Sequence, residues 1–147
     1  MSHRPDTDRA VADVTSLDDA RAAAGASGAG SADVLSGALR KAGLLPLLVL
    51  HLLRDGPSYG NQLMERIGEL SGGLLAVNPN TMYPLLRSLE GKGLIAGEWE
   101  HPERRSRRFY RLTAEGEAER VVLAGELAPK LAAFAVSLEA LRAELGR

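Results

Sequence analysis

Hydrophobic and polar positions divide the chain unevenly. From Met1 to about Ala32 no apolar period is sustained, and Ala22–Ala32 contains only Ala, Gly and Ser. Residues 1–34 are therefore expected to form a disordered arm. A short helix over Asp18–Ala24 would have no face to bury. From Ala38 the apolar density rises, and Leu44–Leu53 is apolar almost all round, which predicts a buried helix with Pro46 in its first turn. Asp55-Gly56-Pro57 stops it. A second helix is predicted with Ser58 as its N-cap and Leu63, Met64, Ile67 and Leu70 on one stripe, ending at Gly72-Gly73. A third begins with Asn78 as N-cap and Pro79 at the first helical position. Met82, Leu85, Leu86 and Leu89 then follow the i, i+3, i+4, i+7 pattern of a buried face, up to a stop near Gly91-Lys92-Gly93.

The period then changes from helical to alternating. Gly97–Glu100 and Arg107–Leu112 read as two strands, joined by the charged turn His101–Ser106. Alternation puts Arg108 and Tyr110 on one hairpin face and Arg107, Phe109 and Arg111 on the other. Phe109 is expected to pack inward, which would draw Arg107 and Arg111 away from any outside partner. Thr113 caps a last helix whose opening turns carry Glu115, Glu117 and Glu119, favourable beside the positive end of the helix dipole. Within it Ala124, Leu127, Leu131, Phe134, Leu138, Leu141 and Leu145 are spaced 3, 4, 3, 4, 3, 4. So narrow a heptad seam is expected to meet a partner helix, most simply in a second copy of the chain.

Three helices, a two-stranded hairpin and a long helix make a mainly α fold with a small β wing, the winged helix-turn-helix arrangement. The expected organisation is an arm (1–34), a DNA-binding domain (35–112) and a dimerisation helix (113–147). In that arrangement the third helix enters the major groove. Its apolar stripe faces the core; Asn80, Pro84 and Arg87 lie opposite, flanked by Thr81, Tyr83 and Ser88. Asn80, Thr81 and Ser88 can hydrogen-bond bases or phosphates, Arg87 can address guanine or phosphate, and Tyr83 can pack on the sugar-phosphate wall. Arg104, Arg105 and Arg108 are candidate backbone contacts from the wing. Tyr59 either closes the first helix pair or reaches a phosphate through its hydroxyl.

Charge agrees with this division. Residues 1–34 hold three Arg and six Asp (net −3), residues 35–112 eleven Lys/Arg and seven Asp/Glu (net +4), and residues 113–147 four Lys/Arg and six Glu (net −2). A basic middle lies between acidic ends, which bears on an anionic partner more than the overall charge of −1. The absence of cysteine removes disulfides, thiolate metal sites and thiol nucleophiles, and fits a reducing cytoplasm. His3, His51 and His101 are too scattered for a metal site, Trp99 reads as the wing's anchor, and Gly91, Gly93 and Gly97 read as turn residues. No nucleophile–base constellation or phosphate-binding glycine loop is visible, so neither enzyme activity nor a cofactor is expected. A polar N-terminus and the lack of any apolar run near the roughly 18 residues that span a bilayer leave a membrane partner unsupported.

The chain from about Leu47 to Gly116 resembles the PadR family of bacterial transcriptional regulators. The matching pieces, in order, are Gly56–Gly60 (GPSYG), Asn80–Ile95 (NTMYPLLRSLEGKGLI) and Arg104–Gly116 (RRSRRFYRLTAEG). The resemblance implies a homodimeric repressor on a near-palindromic operator, with the C-terminal helix packed against the N-terminal helix of its mate. A small hydrophobic or phenolic effector is implied by the same analogy. The length after the wing suits the smaller subfamily with one dimerisation helix. Two departures stand out: Asn80 occupies a position where glycine is common, and the last helix lacks the tryptophan with which some small members hold planar drugs. The rival reading is a winged-helix protein-interaction module that does not bind specific DNA, for which the acidic arm is the best support.

Overall fold

The computed structural model describes residues 31–103 and 107–147, with side chains from Ser36 onward. Most of the expected arm therefore lies outside the described residues. Helix α1 (Ser31–Lys41), which no sustained apolar period announces, precedes α2 (Leu44–Leu52) and a 3-10 turn at Leu53–Asp55. Strand β1 (Ser58–Tyr59), α3 (Gly60–Leu70), α4 (Pro79–Gly91), β2 (Ile95–Trp99), β3 (Arg108–Leu112) and α5 (Ala114–Leu145) follow.

Helix α2 is apolar all round because it is packed on several sides, by α1, α3 and α5. Around it Leu50, Leu63, Ile67, Met82, Leu86 and Ile95 are almost fully buried and form one core. Each such side chain contributes about 1.5–3 kcal/mol of burial. The stripes predicted on α3 and α4 are thus the core faces of those helices, except that Leu70, at the end of α3, is 58% exposed and lies off the core.

The sheet has three antiparallel strands in the order β1-β3-β2, one more than the hairpin alone. Ser58 pairs with Tyr110 and Tyr59 with Phe109, so Ser58 is a buried strand residue and not the cap of α3. Tyr59 takes the N-cap position, and its backbone N–H donates to Gln62 Oε1 at 2.9 Å. Gly97 is likewise no turn residue: it sits in mid-strand opposite Tyr110. Gly93 is one, with φ of 76° between α4 and β2.

The wing's inward aromatic also differs from expectation. Tyr110, 4% exposed, joins the core, while Phe109 lies on the opposite face with its ring edge-on to Tyr59 at 5.9 Å. The added strand is the reason: β1 brings Tyr59 beside Phe109 and gives that ring a partner outside the core.

Thr113 fastens α5 to the domain. Its hydroxyl oxygen stands 2.7 Å from the Gly93 carbonyl oxygen and 2.9 Å from that of Leu94, the two acceptors within reach of its hydrogen, and itself accepts from the Gly116 N–H at 3.0 Å. Helix α5 packs along α2, with Leu127 5% exposed and Leu123 and Leu131 set against the core. Seam positions Leu127 and Leu131, expected to meet a partner helix, are therefore occupied within the chain itself. Beyond Leu131 every residue of α5 is exposed. The helix runs through Pro129 without a break. Although its individual apolar runs are short, α5 as a whole is long and apolar enough to cross a membrane by composition, with a mean hydropathy of 1.6 over its best stretch. Glu126 and Lys130 interrupt it.

Candidate nucleic-acid interface

The start of α4 is built by its cap. The Asn78 side chain accepts from the Thr81 N–H at 3.1 Å, and Pro79 holds the first helical position. With Met82, Leu86 and Leu89 buried, the rotation of the helix is fixed. Asn80, Tyr83, Pro84, Arg87 and Ser88 are exposed on the other side, and Thr81 is half-buried beside them.

Helix α4 and the wing enclose a cleft of about 710 Å³ that brings Tyr59, Tyr83, Arg87 and Arg108 together. Asn80, Thr81 and Ser88 lie outside the cleft on the same helix. Arg104 and Arg105 lie outside the described residues.

Two glycines make room for this arrangement. A Cβ on Gly60 would stand 2.7 Å from Cε1 of Tyr83, and one on Gly97 would stand 2.7 Å from Nε of Arg108. Each therefore lets a larger side chain lie flat across the backbone. Gly60→Ala is expected to cost no more than about 1 kcal/mol, because the push falls on the edge of an exposed ring with solvent beside it and not on backbone. It re-aims Tyr83, however, and DNA affinity should fall; denaturant melts and binding isotherms of the same preparation check both halves. Unchanged affinity would remove Tyr83 from the interface.

The arginines are not equivalent. Arg108 is half-buried, bonded to Glu90 of α4, with its guanidinium 5.2 Å from the Trp99 ring centroid and 5.9 Å from that of Tyr110. It braces the wing against α4. Arg107, expected to be drawn inward with Phe109, is 61% exposed and lines the cleft. Arg111 is exposed near Glu98 at 3.8 Å and lies away from the cleft, beside Arg54 and Thr113.

Glu100, which the sequence did not single out, completes the site. Tyr59 donates its hydroxyl to Glu100 Oε2 at 2.8 Å, and Arg107 donates to the same oxygen at 3.1 Å with its guanidinium 4.1 Å above the Tyr59 ring. The Tyr59 bond, then the Arg107 bond, hold the Glu100 carboxyl below the usual carboxylate range. The bond to Glu100 pushes the Tyr59 hydroxyl and the Arg107 guanidinium up from their ordinary values. Only a register putting Tyr59 opposite Phe109 would have revealed this cluster, and a two-residue strand leaves no alternation to read. Among the described residues no group of three or more His, Asp or Glu comes together as a metal set.

The arrangement presents a polar helix face beside a cationic, aromatic-floored cleft, a surface suited to a duplex wall. Residues 49–121 match the transcriptional regulator PadR-like family. A PadR family transcriptional regulator from Eggerthella lenta is 31% identical, with a TM-score of 0.57 over 73% of this chain and 94% of that one. The chain belongs to the PadR-like family. A transcriptional regulator from Clostridium thermocellum is 26% identical, with a TM-score of 0.59 over 67% of this chain and 94% of that one. The transcriptional regulator Rv3488 of Mycobacterium tuberculosis is 39% identical over 72 residues, 49% of this chain and 64% of the relative, so that match spans less than two thirds of the relative's length. Its PadR-like relatives are transcriptional regulators and not enzymes.

Proposed function

We propose that this PadR-like regulator is a cytoplasmic homodimeric repressor that binds a near-palindromic operator in double-stranded DNA. The observation that carries the reading is the outward face of α4, with Asn80, Tyr83, Arg87 and Ser88 exposed beside the arginine-bearing wing. Asn80, Thr81, Arg87 and Ser88 read bases, Tyr83 packs on the groove wall, and Tyr59, Arg104, Arg105 and Arg108 contact the backbone, joined by Arg107. Arg108 does so while bracing Glu90. Release by a small hydrophobic or phenolic effector belongs to the proposal through the family resemblance alone.

The test is binding to the DNA upstream of its own gene and to random DNA of equal length across a salt series. Two-fold-symmetric protection, with affinity at least about 10³ above random, is the expected result. Weak binding that vanishes with salt on both DNAs, together with no enriched sites in genome-wide capture, would return the chain to the protein-interaction reading.

Within this reading Arg87→Ala is expected to cost about 1–3 kcal/mol on the operator and to relax specificity at one base position. Selection of bound sequences from a randomised operator checks it. Equal loss on all sequences would reassign Arg87 to phosphate.

A further inference from the structure

The cleft meant for an anionic duplex is lined by one carboxylate, Glu90, and a second, Glu100, is bonded to two of its lining residues. Glu100 is the more telling, because both of its donors are themselves placed to meet the backbone. One oxygen, Oε2, collects the Tyr59 hydroxyl at 2.8 Å and the Arg107 guanidinium at 3.1 Å. The other, Oε1, stands 3.8 Å from His101 Nε2. The Glu100 side chain is 28% exposed and that of Arg107 61%, so solvent and ions reach the pair. An exposed pair of this kind is weakly held. A phosphate oxygen seeks the same set of donors, and the same distances serve it.

We propose that Glu100 is a built-in competitor of the DNA phosphate, occupying Tyr59 and Arg107 in the free protein so that the wing grips a duplex only when α4 also finds its bases. This rests on the DNA-binding reading and deepens it. Without DNA the carboxylate keeps the two donors ordered and partly neutralised. On any duplex the phosphate must displace it or accept its repulsion. On the operator the base contacts offset that penalty and the wing engages, whereas on random DNA nothing offsets it, so the carboxylate stays in place and the phosphate contact is not made. Random DNA is then held by the remaining backbone contacts alone, with fewer counterions released than on the operator.

Glu100→Gln tests this without emptying the position, since the amide oxygen still accepts from Tyr59 and Arg107 while the charge is gone. Binding of wild type and variant to the operator and to a random duplex is measured across a salt series. Glu98→Gln serves as control, because it removes an equal charge from a strand residue that contacts neither donor. The expected result is random-DNA affinity raised at least about threefold with a salt slope steeper by up to about 0.9 for the phosphate gained, and operator affinity raised too but with its slope unchanged, because that contact is already made there. The control should change less. In the Tyr59→Phe background the gain from Glu100→Gln should shrink, since one of the released donors is missing.

Equal effects of the two glutamine substitutions would mean bulk charge alone and would overturn the proposal. Weaker binding by Glu100→Gln would also overturn it, making Glu100 a positioning residue for the wing. Both outcomes leave wild-type operator binding, and so the regulator reading, intact. If the wild type shows no preference for any operator, the regulator reading and this proposal fall together. Glu100→Ala, which frees both donors outright, gives a second route should the amide distort the wing.

Discussion

Leu138→Asp combined with Leu141→Asp is expected to sediment as a monomer and to lose tight operator binding, while its melting at the level of a single chain stays close to normal. In the single chain these leucines are 41% and 59% exposed, and Phe134 and Leu145 continue the same row. A folded monomer seldom leaves such a row uncovered. Charging it removes no contact inside the chain, whereas a charge at Leu131 would also strike the core against which that residue packs. In the proposed dimer the second half-site binds as a tethered event, so its loss should weaken operator binding by about 10² to 10⁴, with random DNA changed far less. Sedimentation and operator titration at matched concentration check it. A dimer surviving both substitutions would move the interface elsewhere.

Gly116→Ala should be the most destabilising of the Gly→Ala substitutions among the described residues. Gly116 is buried, and a Cβ there would collide with the Leu94 carbonyl oxygen and come within 2.7 Å of Leu112 Cδ1. That carbonyl cannot yield, because it accepts from both the Thr113 N–H at 3.2 Å and the Thr113 hydroxyl at 2.9 Å. Overpacking against fixed backbone costs about 3 kcal/mol, more than the roughly 1 kcal/mol that alanine returns in helix propensity. Gly125→Ala, on the same helix with nothing within 4 Å of the added methyl, should instead stabilise. Urea midpoints at one protein concentration would show opposite signs. Matching signs would mean that the start of α5 is not seated as tightly as its bonds indicate.

The helices were legible because their signals are local. Asn78, Pro79 and the Met82–Leu89 stripe specify where α4 starts and which side it turns outward, so its exposed face could be read from the sequence. Thr113 announced α5 in the same way. What escaped detection depends on pairing across long separations. Ser58 and Tyr59 form too short a strand to alternate, and without them Phe109 looks like the inward aromatic when Tyr110 is. That error carried Arg107 to the wrong side and hid Glu100, which meets Tyr59 only through the fold, 41 residues away. The seam was visible, but not that Leu127 and Leu131 are already taken within the chain. Gly60 and Gly97 passed as punctuation because the side chains they accommodate come from other elements.

The seating of α5 on Thr113 also sets a phase. Because the same hydroxyl bonds the loop after α4 and the first turn of α5, the direction of the apolar row is tied to the end of α4. One residue inserted after Leu131 would turn the row by about 100° around the helix, whereas seven would nearly restore its direction and carry it about 10 Å further out. In the proposed dimer, the spacing and angle between operator half-sites are thus encoded as a count of residues along α5, and natural variation in that count would change which operators a pair of these chains can span.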